Sequence, residues 1–322
     1  MSRSKSILAV AAASVLLLAG CTSGTDSYAG ITQSCESYKG GAEIEQVEVT
    51  SAEGKVPTVK FPTKGDGTSQ LSLIKTSQTK VVKEGSGPAF TGNQLVTIEY
   101  VIVNSSTGEV LANSKFDGTD AASEVFDSSA TKVFCDAITG VKEGSLVVFA
   151  NPKSEADVNG TTYLLELKKV YLPHANGSIQ PLPSGLPSVV RAPKTGQPGL
   201  VAPSFSAPKD FQKATLIKGS GETVKAGDSV TVHYVGWVWG TEIGAPFDSS
   251  WDSGNGPATF TLKTGDGGLI PGFVKALDGE TVGSQVIASM PATDGYGADG
   301  NGGSIPGGAT LLFVIDILGV KK

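Results

Sequence analysis

Residues 229–250 read SVTVHYVGWVWGTEIGAPFDSS, and they decide how the C-terminal part of the chain is interpreted. Among them, residues 229–235 have side chains of alternating character and include several β-branched residues, a pattern that is typical of a strand. Further on, the apolar run 272–277 is opened by Pro-Gly and closed by Asp-Gly, and it therefore predicts a short helix. Residues 285–290 and 310–318 predict two more strands. Several strands with one short helix predict an antiparallel sheet wrapped around a helix, in the α+β class.

The chain repeats part of this region upstream. Residues 85–100 read GSGPAFTGNQLVTIEY, and residues 219–234 read GSGETVKAGDSVTVHY. Two copies of one domain explain this similarity better than a solenoid, which needs more and shorter repeats. We therefore expect two domains of one fold, a first copy over residues 46–172 and a second copy over residues 208–322.

The segment between the copies, residues 173–207, is rich in Pro, Gly and Ser. Such a composition favours an extended, semi-rigid linker. Its second half begins at Leu186 and is similar to the stretch from Val56 to Pro62. That half is therefore also a candidate for a leading strand of the second copy.

The N-terminus has the pattern of a targeting segment over residues 1–20. Arg3 and Lys5 precede an apolar run, Ile7–Leu18, that is too short to cross about 30 Å of hydrocarbon as a helix. The run ends in Leu-Ala-Gly-Cys at position 21, which resembles the lipobox of bacterial lipoproteins. An ordinary secretory signal with a chance cysteine is the alternative.

The lipobox resemblance implies that Cys21 is lipidated and becomes the first residue of the mature chain. The expected location is then extracytoplasmic, with a lipid anchor in the cell membrane. Residues 21–45 are expected to form a flexible tether. Outside the cytoplasm the two remaining cysteines, Cys35 and Cys135, are candidates for a disulfide. A redox pair is the alternative, although the sequence has no Cys-x-x-Cys.

Charge and composition exclude several classes of function. The formal net charge is −6, and no local cluster of Lys and Arg is present that would hold a phosphate backbone, so nucleic acid is not an expected partner. His174 and His233 are the only histidines, which leaves little from which to build a zinc site or a catalytic triad. We expect no cofactor, no metal and a monomer.

The second copy carries a series of short motifs that resembles the FKBP-type peptidyl-prolyl cis-trans isomerases. In order along the chain they are VHYVG at 232–236, FDSS at 247–250, LIPGF at 269–273, the loop 291–297 that ends in Tyr-Gly, and ATLLF at 309–313. No single motif is specific, but the series follows the family order. The resemblance implies two FKBP-like domains in this chain.

The resemblance also implies an isomerase that accelerates X–Pro rotation without covalent chemistry. The implied catalytic residues are Tyr234, Asp248 and Tyr296. The side chains implied to line an apolar pocket around the prolyl ring are those of Phe247, Leu269, Ile270, Phe273, Ile305 and Phe313. Without the resemblance, the aromatic residues on strands are interpreted as core and Asp248 as a turn cap. His233 is interpreted as scaffold.

The sequence departs from the family pattern in ways that affect both copies. In the second copy the pocket floor, usually Trp, is Phe273. In the first copy the FDSS position reads Leu-Ala-Asn-Ser at 111–114, and the loop that would bring a second pocket tyrosine is missing. We expect the first copy to fold without catalytic activity.

Three hypotheses remain open at this point. The first is an isomerase acting on proline-containing polypeptide clients outside the cytoplasm. The second is a lipid-anchored chaperone or client-binding scaffold with little or no isomerase activity. The third is a purely structural lipoprotein, which would not explain a retained pocket.

Overall fold

The computed structural model describes residues 35–38, 40–193, 195–241, 245–251, 256–265 and 267–321. The predicted signal peptide and the lipobox, with Cys21, lie outside the described residues. Within the described ranges, no helix is long and apolar enough to cross a membrane.

The first copy is built around one antiparallel sheet. Its elements in chain order are α1 (Ala42–Glu45), β1 (Glu48–Ala52), β2 (Lys55–Lys60), a 3-10 turn (Gln70–Leu73), β3 (Gln78–Lys83), β4 (Gln94–Asn104), β5 (Val110–Asn113), β6 (Ala122–Phe126), α2 (Lys132–Ile138), β7 (Leu146–Asn151) and β8 (Thr161–Val170). Strands β3, β7, β8, β4 and β5 are neighbours in this order, and β6 also pairs with β4. We call this the first sheet. β1 and β2 form a separate hairpin.

The second copy has the same core arrangement. Its elements are β9 (Ser178–Ile179), β10 (Val189–Arg191), β11 (Pro198–Leu200), β12 (Gln212–Lys218), β13 (Ser229–Val238), β14 (Asp248–Ser249), β15 (Ala258–Thr261), α3 (Pro271–Leu277), β16 (Gln285–Met290), a 3-10 turn (Ala292–Asp294) and β17 (Leu311–Lys321). The order in the second sheet is β14, β13, β17, β16, β12 and β9, with β15 also paired to β13.

The repeat seen in the sequence is also a repeat in strand register. Tyr100 on β4 lies opposite Leu165 on β8, and Tyr234 on β13 lies opposite Ile315 on β17. In each copy the short helix packs its apolar residues on one face of the sheet, as Ile138 and Leu277 show, both fully buried. The described chain is mostly antiparallel sheet with few helices, in agreement with the α+β prediction.

The segment 173–207 is packed on the second sheet instead of forming a free linker. Leu186 and Leu200 are buried on the face opposite α3, in one cluster with Trp237 and Val314. β9 adds to the sheet edge by pairing with β12. The proposed leading strand, β10, pairs with β11 in a hairpin of its own and does not join the sheet. A segment judged on its Pro, Gly and Ser content becomes ordered here because its few leucines bury apolar surface.

Part of the predicted tether is also packed structure. Cys35 is buried and forms a disulfide with Cys135 on α2, and Ile44 on α1 is fully buried. The tether interpretation of residues 21–45 therefore does not hold from Cys35 onward. The polarity of the segment predicts a tether, but the disulfide holds Cys35 against the core.

Candidate functional site

Tyr234 and Asp248 meet on the face of the second sheet that carries α3. Tyr234 lies on β13, and Asp248 opens β14, whose pairing places Asp248 opposite Gly236. The Tyr234 hydroxyl donates a hydrogen bond of 2.6 Å to Asp248 Oδ2. Burial raises the pKa of Tyr234, and the bond to the Asp248 carboxylate raises this pKa further. The hydroxyl therefore stays protonated, as a donor, well above neutral pH.

An aromatic cluster surrounds this hydrogen bond. Phe273 from α3 meets the rings of Tyr234 and Phe313 edge-on, with centroid distances of 6.0 and 5.4 Å. Phe247 meets Phe313 edge-on at 5.6 Å. Edge-to-face pairs of this kind are favoured by the ring quadrupoles. The rings thus fix one another around the Tyr234 hydroxyl.

Gly236 permits this close arrangement of rings. A Cβ atom at position 236 would lie 2.7 Å from both Phe247 Cζ and Phe313 Cε1. Real Cβ contacts are not that short, so a side chain at this position would displace both rings. The glycine in the VHYVG motif is therefore explained by the aromatic cluster, which the sequence alone does not show.

The start of α3 and one long loop complete the set of predicted site residues. Leu269 and Ile270 precede α3 and pack against the same core. The loop after β16 is held by a 2.5 Å ion pair between Asp294 and Lys275 on α3, and it brings Tyr296 to the cluster. The structure thus gathers in one cluster the predicted residues Tyr234, Phe247, Leu269, Ile270, Phe273, Tyr296, Ile305 and Phe313, with Asp248 joined to it by its hydrogen bond.

Phe260 is a neighbour of the site that the family resemblance does not name. Its ring lies 6.1 Å from that of Tyr234 and 5.8 Å from that of Phe273, and it is partly exposed. The available signal was its alternate position on β15, which pairs with β13 beside Val230. The alternation predicts on which face of the sheet Phe260 lies, but it does not distinguish a residue that lines the site from one in the core.

His233 supports the site from the opposite face of β13. Its Nδ1 lies 2.9 Å from Ser250 Oγ, and its ring stacks on Trp251 with centroids 3.9 Å apart. Burial lowers the pKa of His233 to about 3. Ser250 Oγ also accepts the Tyr234 backbone N–H. This geometry fits the scaffold interpretation, since a neutral, buried ring facing away from the aromatic cluster cannot reach a substrate there.

The first sheet has the counterpart of this cluster without its acid. By strand register, Tyr100 and Tyr163 correspond to Tyr234 and Phe313. The position of Asp248 is taken by Ala112, which lies opposite Ile102. Tyr100 therefore lacks the carboxylate partner that Tyr234 has.

Three acidic side chains also approach one another beside the first sheet. Oxygens of Glu99, Asp117 and Asp120 lie within 4.8 Å of one another. Glu99 is fully buried, its Oε1 accepts the Gly118 N–H at 2.7 Å, and Lys168 Nζ lies 3.7 Å from its Oε2. The Gly118 bond satisfies Oε1, whereas Oε2 is buried without a hydrogen-bond donor and has only the Lys168 charge nearby.

Comparison with known proteins identifies the class to which this site belongs. Residues 220–318 match the family model for FKBP-type peptidyl-prolyl cis-trans isomerase. A probable FK506-binding protein of Corynebacterium glutamicum is 36% identical over 122 residues, which are 38% of this chain and 97% of that protein. An FK506-binding protein of Neisseria meningitidis serogroup B is 41% identical over 107 residues, 33% of this chain and 93% of that protein.

The chain therefore belongs to the FKBP-type peptidyl-prolyl cis-trans isomerase family. Among solved structures, FkpA from Escherichia coli aligns with a TM-score of 0.31 and 32% identity, over 34% of this chain and 48% of that one. The family match lies within the second copy, where the Tyr234–Asp248 pair is found.

Proposed function

We propose that the second copy catalyses X–Pro rotation in extracytoplasmic polypeptides, with the prolyl ring held among the aromatic side chains around Tyr234. The observation that carries this proposal is the 2.6 Å Tyr234–Asp248 hydrogen bond inside the cluster of Phe247, Phe273 and Phe313. It joins a protonated phenol and a carboxylate to an apolar surface.

Rotation about an X–Pro bond has a barrier of about 18–20 kcal/mol, because the amide must lose its resonance. A catalyst lowers this barrier only by binding the twisted amide more tightly than the planar one. The twisted amide has less charge separation, so transfer from water to an apolar surface costs it less. The rings of Phe247, Phe273 and Phe313 supply that surface.

Polar groups at the edge of the cluster would orient the peptide. The Tyr296 hydroxyl and the backbone N–H of Ile270, two residues that pack against the cluster, would donate to substrate carbonyls. Asp248 would face the twisting carbonyl, with its position fixed by the bond from Tyr234. No covalent bond forms, and no proton leaves a residue at any step of this scheme.

The remaining parts of the proposal concern the setting of the isomerase. We infer two FKBP-like domains, the first without activity because Ala112 stands where Asp248 stands in the second. We also infer a lipid anchor at Cys21, an extracytoplasmic monomer, and proline-containing polypeptide clients. The lipobox-like sequence at 18–21 supports the anchor. Changing Cys21 to Ser tests the anchor, and we expect the variant to be released from the membrane fraction. The anchor would be contradicted if the variant stayed in the membrane fraction as the wild type does and the wild type carried no labelled acyl chain.

A client-binding scaffold with little turnover is the second candidate. The observation that favours it is the first sheet, which keeps aromatic residues at the counterpart of the site but lacks the acid. On this alternative the second copy would hold prolyl segments without accelerating their rotation.

One experiment separates the two candidates. The soluble chain from Thr22 onward is compared with a Tyr296→Phe, Asp248→Ala double variant, by following cis-to-trans relaxation of a tetrapeptide with Leu or Phe before Pro. A Tyr100→Phe variant is the matched control in the first sheet. We expect acceleration by the wild type and the control, and its loss in the double variant. A folded wild type that does not differ from buffer would leave the scaffold as the better candidate.

A further inference from the structure

The segment Cys35–Tyr38 lies on the first sheet at the counterpart of the isomerase site. The Tyr38 ring stacks on Phe149 with centroids 5.7 Å apart and an interplanar angle of 4°. Phe149 stacks in turn on Tyr163, the counterpart of Phe313, at 5.7 Å. Phe134 from α2 meets Tyr163 edge-on at 5.0 Å. The Tyr38 ring therefore packs against a cluster of aromatic rings from the first copy.

The backbone of the segment is also recognised. The Glu36 N–H donates to Asp136 Oδ1 at 2.9 Å, and the Tyr38 N–H donates to the Asp136 carbonyl at 3.3 Å. Lys132 Nζ lies 2.8 Å from Asp136 Oδ2 and fixes the orientation of this carboxylate. Two backbone N–H groups, those of Glu36 and Tyr38, thus donate to the single residue Asp136, and together with a stacked ring these are the contacts of a short extended peptide.

The same place in the second copy is occupied differently. There Lys275, at the helix position that matches Asp136, binds Asp294 of the long loop that brings Tyr296. In the first copy the chain between β7 and β8 is shorter, and the stacking position opposite Phe149 is filled from the N-terminal side. Ala288 stands in the second sheet where Phe149 stands in the first, since both lie opposite the matching residue of the next strand. The first copy thus has an aromatic ring at a sheet position where the second copy has only a methyl group.

The Cys35–Cys135 disulfide holds the segment in place. Its Cα atoms are 5.7 Å apart, and it joins the segment to α2 one residue before Asp136. A covalent link of this kind keeps Tyr38 at a high effective concentration over the rings, which a peptide in solution cannot match. Glu36 and Ser37 are exposed, so the ring and the backbone donors are the parts of the segment that the site holds.

We propose that the first sheet carries a binding site for an extended polypeptide segment with an aromatic side chain, and that Cys35–Tyr38 occupies it as an intramolecular ligand. The disulfide keeps the site closed. A dithiol opens it by reducing Cys35 and Cys135 to two thiols while it is itself oxidised to its disulfide. The site is separate from the Tyr234 site and does not depend on isomerase activity.

The test uses the chain from Thr22 onward with Cys35→Ser and Tyr38→Ala. The probe is the peptide Ser-Ser-Glu-Ser-Tyr-Lys-Gly, which copies residues 34–40 with Ser in place of Cys. Its control is the same peptide with Ala in place of Tyr. Calorimetric titration should show saturable binding of the Tyr peptide to the variant, at least tenfold tighter than to the oxidised wild type or than binding of the Ala peptide. Equal binding of both peptides, or none by a variant that keeps wild-type isomerase activity, would overturn the proposal.

A second variant covers the case in which loss of the disulfide unfolds the first copy. Tyr38→Ala with the disulfide intact removes the ring and leaves the covalent link. N-acetyltyrosine amide should then bind this variant and change the NMR chemical shifts of Phe149 and Tyr163. The same ligand should leave the chemical shifts of the wild type unchanged. Shift changes confined to the second copy, or their absence, would show that no aromatic site exists in the first.

Discussion

The Tyr234 hydroxyl and Asp248 Oδ2 lie 2.6 Å apart although the residues are fourteen positions apart in the chain. Their contact depends on the pairing of β13 with β14 and on the neighbouring aromatic rings. The phenol is half-buried and the carboxylate is exposed, so the pair lies where the aromatic cluster meets solvent.

Replacing Asp248 should lower activity according to what remains as a hydrogen-bond acceptor. Asp248→Ala should reduce kcat/KM roughly 10- to 100-fold, because a hydrogen bond to a charged group contributes about 1.5–3 kcal/mol. Asp248→Asn keeps an acceptor and should lose less. The pKa of Tyr234, followed by ultraviolet titration, should fall in the Ala variant and yet stay above its ordinary value, because burial is the larger cause of the shift. An unchanged titration would show that the bond is absent in solution.

Gly236→Ala should disturb the cluster directly. The added Cβ would lie 2.7 Å from two rings, and overpacking of this kind costs about 1–3 kcal/mol. We expect a lower midpoint in urea together with reduced isomerase activity. Gly303→Ala is the matched control, since a Cβ there meets nothing within 4 Å and the backbone is unstrained. Equal effects of the two variants would argue against the ring contacts as the cause.

His233 should make stability depend on pH. Its pKa is about 3 in the folded protein, against an ordinary value of 6.5, so below pH 6.5 the unfolded chain takes up a proton that the folded chain does not bind. The free energy of unfolding should therefore fall as the pH decreases from about 6.5 to about 3. His233→Gln should lose less stability between pH 7 and pH 4.5 in urea titrations.

Asp316 also contributes to the pH dependence of stability that this measurement follows. It lies opposite His233 in the strand register, and burial raises its pKa, which acts on stability with the opposite sign. Because Asp316 is present in both proteins, the difference between wild type and His233→Gln isolates the histidine. Parallel pH curves for the two proteins would contradict a buried neutral ring.

Asp316 should also hold the 173–207 segment on the second sheet. Its Oδ2 accepts the Ala175 N–H at 2.9 Å and its Oδ1 accepts Gln285 Nε2 at 2.6 Å. Asp316→Ala leaves both donors buried without an acceptor and should cost about 2–4 kcal/mol. Limited proteolysis between residues 180 and 200 should become faster in this variant and change little in Asp316→Asn. Unchanged cleavage in both would show that the apolar contacts alone hold the segment.

Much of the second copy could be predicted from sequence because its signals are local. The helix predicted at 272–277 is observed at Pro271–Leu277, and the strand predicted at 285–290 is observed with the same bounds. A glycine-bounded apolar run and a short, mainly apolar stretch can both be recognised without knowledge of any distant residue. The family motifs added the list of site residues, which no periodicity could have supplied.

The less successful predictions concern segments whose order depends on distant partners. The tether from Cys35 onward and the linker after Leu172 were judged on polarity, Pro and Gly, yet Leu186, Leu200 and Cys35 are all buried. Each is fixed by a residue far away in the chain: Cys35 by Cys135, and the leucines by Trp237 and its neighbours. The composition of a segment is an average over all its residues, so it does not reveal the few residues that anchor the segment to distant parts of the chain.

The sequence by itself determined the antiparallel class, the repeat and the residues that we propose for the isomerase site, because alternation, turn residues and motifs are written in consecutive positions. Only the tertiary structure decided that Tyr234 bonds Asp248, that Gly236 makes room for two rings, and that Tyr38 stacks on Phe149. These are contacts between separate elements. They depend on strand register and packing at the scale of single ångströms, which no property of one segment specifies.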